Sequence, residues 1–205
     1  LGHKSITKQI FQGFKTSGDA LYIASENRIG YFGFQFDKGN IKERKIEQEL
    51  MFPVLSGAET RRYESPFTKK RILVPYKVYE EHIDILGQNE LMENYLECWS
   101  YLQERQAEFE ARERGRMRGN QHWWAFIYPK NLRQMKMPKL LVAGTAPELR
   151  VSIDPEGKYA FLGGRVYGIL PEDESDLFWL LGLLNSKPVN FFFTRIARPK
   201  AGNYY

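Results

Sequence analysis

The stretch from Ser175 to Tyr205, SDLFWLLGLLNSKPVNFFFTRIARPKAGNYY, limits the fold more than any other. Leu177, Leu180, Leu181 and Leu184 recur at helical spacing, with Asp173, Glu174 and Asp176 at the start. That pattern predicts an amphipathic helix with carboxylates near its positive end. Asn185 and Ser186 interrupt it, and Pro188 suits the first turn of a second short helix. The consecutive Phe191, Phe192 and Phe193 are expected to be sheltered by the rest of the domain, so the core should meet here. After Ile196 the chemistry changes to Arg198, Pro199, Lys200, Ala201, Gly202, Asn203, Tyr204 and Tyr205, which is cationic and aromatic-ended and from its composition is expected to be flexible. An apolar anchor followed by a basic loop is what a nucleic-acid reader needs. Taken alone, the stretch fits an ordinary core helix with a frayed end better.

The rest of the chain can supply the core that this helix requires. With 205 residues and 42% hydrophobic content, a globular protein of one substantial domain or two small ones is expected. No internal repeat or low-complexity linker divides it, which favours one mixed domain over residues 1–205. The net charge of +5 and the pI near 9.2 favour a polyanionic partner without identifying it. Cys98 is the only cysteine, so an internal disulfide and a cysteine zinc site are excluded, and a reducing, cytoplasmic compartment is the simplest expectation. No apolar run approaches a membrane span, so no membrane partner is expected. A chain that opens on Leu1 and closes on two tyrosines is expected to be a piece of something longer.

Short apolar runs separated by turn formers dominate the first half. Strands are expected at 10–14 and 20–24 around Thr16-Ser17-Gly18-Asp19, then at 29–36 and 41–46 around Asp37-Lys38-Gly39-Asn40. A helix from Glu47 to Leu55, ended or kinked by Pro53, leads into a loop with Arg61, Arg62 and Tyr63. Lys69, Lys70 and Arg71 follow, at the edge of a buried strand over 71–76. These cations and the ring could contact phosphates or bases, or form a solvated loop. From Asn89 to Arg114 the period is helical, with Leu91, Tyr95, Trp99, Leu102, Gln106 and Phe109 on one face. This is the longest expected helix, and Cys98 and Trp99 on its stripe are expected in the core. Arg112, Arg114, Arg116 and Arg118 then alternate through ERGRMRGNQ, a fan of charge that could serve the helix dipole or grip a phosphate backbone. Trp123 and Trp124 are expected in the core. A short helix over 129–137, a strand over 139–143, a hairpin pairing 149–153 with 159–162, and a strand over 165–170 complete the pattern. The expected fold is therefore α+β, mostly antiparallel sheet with one long amphipathic helix and a C-terminal helix pair.

Enzymatic motifs are scarce. His3, His82 and His122 lack metalloprotease spacing, and neither GxxxxGKS nor GxGxxG occurs. Glu156-Gly157-Lys158 mimics the E-x-K end of a restriction-nuclease motif, yet Asp154-Pro155-Glu156-Gly157 is also ordinary turn chemistry.

Several stretches in order resemble one family. They are FKTSGDALYIA at 14–24, EQELMFPVLSGAETRRY at 47–63, RILVPY at 71–76, WWAFIYPKNLRQMKMPKLLV at 123–142, GGRVYGI at 163–169 and LLGLLNSKPVNFFF at 180–193. Together they are similar to the TaqI-like C-terminal specificity domain of adenine-specific DNA methyltransferases and type IIG restriction-modification enzymes. The resemblance implies that this chain recognises a short sequence in double-stranded DNA. It also implies that an N-terminal domain of the same parent binds S-adenosylmethionine and methylates adenine at N6. The nearest match to the Asn-Pro-Pro-Tyr tetrad is Val74-Pro75-Tyr76, which lacks the asparagine, so no catalytic residue and no cofactor are expected in this stretch. Expected DNA contacts fall in three groups: Arg61, Arg62, Tyr63, Lys69, Lys70 and Arg71; Arg116 and Arg118; and Arg165, Lys200, Asn203 and Tyr204. Arginine suits guanine and asparagine suits adenine in the major groove. A protein-interaction domain for an acidic partner, or for the parent catalytic domain, is the competing expectation, with a stand-alone nuclease third.

Overall fold

A computed structural model describes residues 5–37, 39–199 and 205. In chain order the first elements are β1 (Thr7–Gln12), α1 (Asp19–Tyr22), β2 (Ile23–Arg28), β3 (Tyr31–Asp37), β4 (Asn40–Lys45), β5 (Met51–Leu55), β6 (Lys70–Leu73), β7 (Tyr76–Val78) and β8 (Ile83–Ile85). Then come α2 (Gln88–Asn94), α3 (Leu96–Glu104), α4 (Gln106–Gly115), β9 (Lys139–Ala143), β10 (Val151–Asp154), β11 (Ala160–Phe161), β12 (Val166–Pro171), α5 (Leu177–Leu184) and α6 (Lys187–Ile196). The fold is α+β with mostly antiparallel sheet. Its elements form two compact units built from interleaved segments, Leu1–Phe14, Leu55–Thr68 and Lys130–Tyr205 in the first, Lys15–Val54 and Lys69–Pro129 in the second.

The first unit is a four-stranded antiparallel sheet in the order β1-β12-β9-β10. Ile10, Ile169, Leu140 and Ile153 are successive register partners across it, so they share a face. On that face α5 lays its leucine stripe, with Leu177, Leu180 and Leu181 buried among Leu140, Val151, Ile153 and Ile169. Burying each leucine contributes about 1.5–3 kcal/mol. The stripe behaves as its spacing predicts. At the end of α5, Asn185 is buried and clasps the backbone of Val151, donating to its carbonyl at 2.8 Å and accepting from its amide at 3.1 Å. Ser186 then caps α6 by accepting from the Val189 amide.

Two expectations in this unit are corrected. Phe191 and Phe192 are not sheltered: they stand 57% and 64% exposed, and α6 buries no residue. The centre of the sheet's apolar face is occupied by α5, and α6 does not pack on it. Likewise, residues 149–153 do not form a hairpin with 159–162, because β10 pairs with β9. The buried Lys139–Asp154 ion pair, 2.5 Å between register partners, is satisfied by that pairing. Asp154 also accepts from the amides of Lys158 and Tyr159, at 2.9 and 3.0 Å, which closes the following turn.

The second unit carries strands in the order β5-β6-β2-β3-β4, all antiparallel, and the β7–β8 hairpin. The β3–β4 hairpin falls where the turn sequence puts it, Asp37 opposite Asn40. Residues 20–24, expected as strand, begin instead as the single helical turn α1 before β2. The expected helix over 47–55 is also corrected: only Gln48–Leu50 turns, and Met51–Leu55 extends as β5, with Pro53 opposite Arg71. Proline's fixed φ is compatible with that extended strand and incompatible with a helix interior. The helical stretch after residue 88 is broken at Tyr95 (φ −136°, ψ 55°) and Arg105 (φ −113°, ψ 14°), and α4 itself leaves helical geometry at Arg112, Glu113 and Arg114. Leu91, Trp99, Leu102 and Phe109 of its predicted face are buried, as is Cys98, whereas Tyr95, at the first break, is only half-buried and Gln106 is exposed. The Glu47 carboxylate accepts from the amides of Glu97 and Cys98, both at 2.9 Å, and so satisfies the first turn of α3. Trp123 and Trp124 pack with Trp99 in the core, as expected. Among the described residues no helix is long and apolar enough to cross a membrane.

Candidate nucleic-acid interface

Three loops of the first unit converge on the backbone of Arg165. The Gly144 amide donates to the Arg165 carbonyl at 2.8 Å, and the Arg165 amide donates to Leu162 at 3.2 Å. A Cβ on Gly144 would lie 2.6 Å from the Gly164 carbonyl, and one on Gly57 would lie 2.8 Å from that of Arg165. Gly57 also holds φ at +95°, so a side chain there meets both a clash and a strained backbone. With its own amide and carbonyl held, exposed Arg165 projects from a fixed base. It lines a cleft of 390 Å³ together with Arg150, Thr145 and Ser56. Arg150 is only loosely countered, its Nε 3.8 Å from Glu148. Beyond Ala58, which borders both, lies a second cleft of 270 Å³ lined by Arg61, Glu59, Glu64, Ser65 and Phe67.

Neighbouring arginines on one loop have different tasks. Residues 61–64 run along β10: the Arg61 amide donates to Ser152 Oγ at 2.8 Å, Tyr63 donates to the Val151 carbonyl, and Glu64 accepts from Ile153. Arg62 turns inward, donating to the Asn185 carbonyl at 2.6 Å and to Glu148 at 3.2 Å. The Tyr63 hydroxyl donates to that same carbonyl at 3.2 Å, and Tyr63 adopts φ +64°. Arg62 and Tyr63 therefore latch the loop to the end of α5. Arg61 is left exposed at its cleft.

In the second unit Lys69 and Lys70 are exposed, whereas Arg71 pairs with Glu26 across adjacent strands at 2.5 Å. Arg116 bonds the Tyr128 hydroxyl at 3.0 Å and Glu113 at 3.3 Å, and Arg118 is exposed beside Gly115. Arg112, expected within the basic fan, is buried. Its five donors reach the carbonyls of Phe109, Thr16, Trp123 and Ala125 and the Tyr22 hydroxyl, at 2.6–2.9 Å. Burial pulls its guanidinium below the usual range, and the neighbouring Tyr22 opposes that shift. Its bonds hold the chain where Glu113 and Arg114 take φ of +46° and +63°.

Of the sequence-expected residues, the first unit brings together Arg61, Arg62, Tyr63 and Arg165, while the second holds Lys69, Lys70, Arg71, Arg116 and Arg118. Lys200, Asn203 and Tyr204 lie outside the described residues. Sequence reasoning missed Arg150 and Thr145, although Gly144 beside Thr145 and the Gly163-Gly164 pair before Arg165 mark a close backbone approach. Glu156 pairs with Lys158 at 2.8 Å, and Asp154 is buried against Lys139. Among the described residues no group of three or more His, Cys, Asp or Glu is placed to hold a metal. No protein-family model matches the chain, and no curated protein matches it in sequence.

Proposed function

We propose that this chain reads a short sequence in double-stranded DNA on behalf of an adenine-specific methyltransferase or type IIG restriction-modification enzyme. S-adenosylmethionine and the methyl-transfer chemistry then belong to an N-terminal domain of the same parent, and the protein works in the cytoplasm. The ordered motifs that resemble the TaqI-like specificity domain support it. The structural observation that carries it is the cleft shared by Arg150 and Arg165 beside a glycine-built junction of three loops. Two guanidinium groups on a fixed backbone suit phosphate contact or bidentate reading of guanine. Arg61 at the adjoining cleft adds a cation that neutralises phosphate, and the second unit, taken by itself, exposes Lys69, Lys70 and Arg118.

Titration of a fluorescent duplex library at several salt concentrations tests this. Binding that weakens steeply with salt is expected, and reversing Arg150 and Arg165 to glutamate should weaken it further at every salt concentration. Salt-independent binding, or binding indifferent to that double reversal in a folded protein, overturns the proposal. Capture of an acidic polypeptide in preference to duplex favours instead the protein-interaction alternative.

A further inference from the structure

The C-terminal helices leave an apolar surface uncovered. Phe178, Trp179 and Leu183 on α5 are 69%, 55% and 37% exposed, and Phe191, Phe192 and Ile196 on α6 are 57%, 64% and 79% exposed. The sheet face beneath α5 shows the same deficit at its edge, where Ile10 continues the covered row of Ile169, Leu140 and Ile153 yet is 64% exposed. Six exposed apolar side chains on two consecutive helices exceed the singly scattered apolar residues that are normal on a monomer. With aromatic side chains of 150–250 Å² each, the six helical residues leave on the order of 700 Å² unsatisfied.

We propose that this surface is a two-fold interface with a second copy of the same chain, the α5 of one protomer lying against the α6 of its partner. The area favours this occupant. Two such faces together bury roughly 1,400 Å², within the range of about 1,200–2,000 Å² of specific protein interfaces. Charge favours it too. Asp173, Glu174 and Asp176 lead into α5, which carries no cation, whereas α6 carries Lys187 and Arg195, is followed by Arg198, and carries no carboxylate. Setting α5 against α6 of another copy brings opposite signs together twice, whereas α6 on α6 opposes cation to cation. Arg195 stacks on the Phe191 ring at 4.9 Å, so its cation rides on the apolar face. The inference does not depend on the DNA-reading proposal, since self-association is measured without DNA.

Sedimentation equilibrium of the intact chain, with DNA absent, provides the test. A monomer–dimer equilibrium is expected at micromolar concentration. Trp179→Asp with Phe192→Asp should weaken it at least about tenfold, as loss of central aromatic anchors does. Should that double variant misfold, charge exchange replaces it. Lys187→Glu with Arg195→Glu should weaken dimerisation, and adding Glu174→Lys with Asp176→Lys in the same chain should restore it. A strict monomer, a dimer unmoved by the folded aromatic variant, or failure of the charge exchange to restore association would each overturn the proposal.

Discussion

At the scale of single residues, a side chain's task is set by what its neighbours already offer. Arg61 and Arg62 are adjacent and chemically identical, yet Arg62 is bonded to Asn185 and Glu148 while Arg61 faces a cleft. Arg61→Glu should therefore weaken DNA binding and leave the thermal midpoint unchanged. Arg62→Met should instead cost about 1–3 kcal/mol of stability, because the Asn185 carbonyl and Glu148 lose a charged donor. Paired denaturation and binding measurements check both, and equal stability of the two variants would remove the latch. Burial of tyrosine gives a second prediction. Burial raises Tyr76 from 10.0 to about 12, although its bond with the Phe126 amide pulls the other way. It also raises Tyr22 and Tyr101, against the pull of nearby arginines, and the Cys98 thiol. Each group holds its proton more tightly when folded, so its contribution is complete below the unfolded value and is lost as pH climbs toward the folded one. Stability should begin to fall above about pH 9, where Cys98 would ionise in the unfolded chain, and more steeply above about pH 10, by up to about 1.4 kcal/mol per pH unit for each such tyrosine. Tyr76→Phe should flatten that slope in urea melts compared at about pH 10 and pH 11, whatever its offset near neutrality.

Elements obey the local pattern wherever a single period decides them. The leucine stripe of α5, the β3–β4 turn and the buried face shared by α2, α3 and α4 were all legible, because each depends on residues a few positions apart. Where long-range partners decide, the pattern misleads. Residues 51–55, expected to finish a helix begun at Glu47, extend instead, since Pro53 does not fit a helix interior and β6 offers them a ladder. Residues 151–154 pair with β9, a register that places Asp154 opposite Lys139 and so leaves neither buried charge unpartnered. The loops around Arg165 depend on such a contact too. Gly144→Ala sets a methyl 2.6 Å from one carbonyl and 2.9 Å from another, and the loops must part. Such overpacking costs about 1–3 kcal/mol. DNA affinity should fall in this variant while the circular dichroism spectrum stays native. Unchanged affinity would mean that the junction does not position the site.

For the whole molecule, the excess of cations is a statement about association and not about fold. A net +5 spread over several exposed cations should give a salt slope of roughly −0.9 for each phosphate neutralised. Removing Arg150 alone should reduce that slope by about one unit if it contacts a phosphate. The chain should also transfer no methyl group, which tritium counting on duplex incubated with labelled S-adenosylmethionine checks. Composition and periodicity alone determined that the chain folds with sheet and amphipathic helices, which leucines and tryptophans are core, and that its charge is basic. Those properties are sums over many residues or repeats over a few, and each survives without knowledge of the tertiary structure. Only the tertiary structure decided that Arg112 is enclosed by carbonyls, that Arg62 is a latch, that Arg150 joins Arg165, and that Phe191 and Phe192 face outward. An arginine or phenylalanine carries the same chemistry in every setting. Its role follows from whichever backbone group, carboxylate or open surface a distant part of the chain brings beside it.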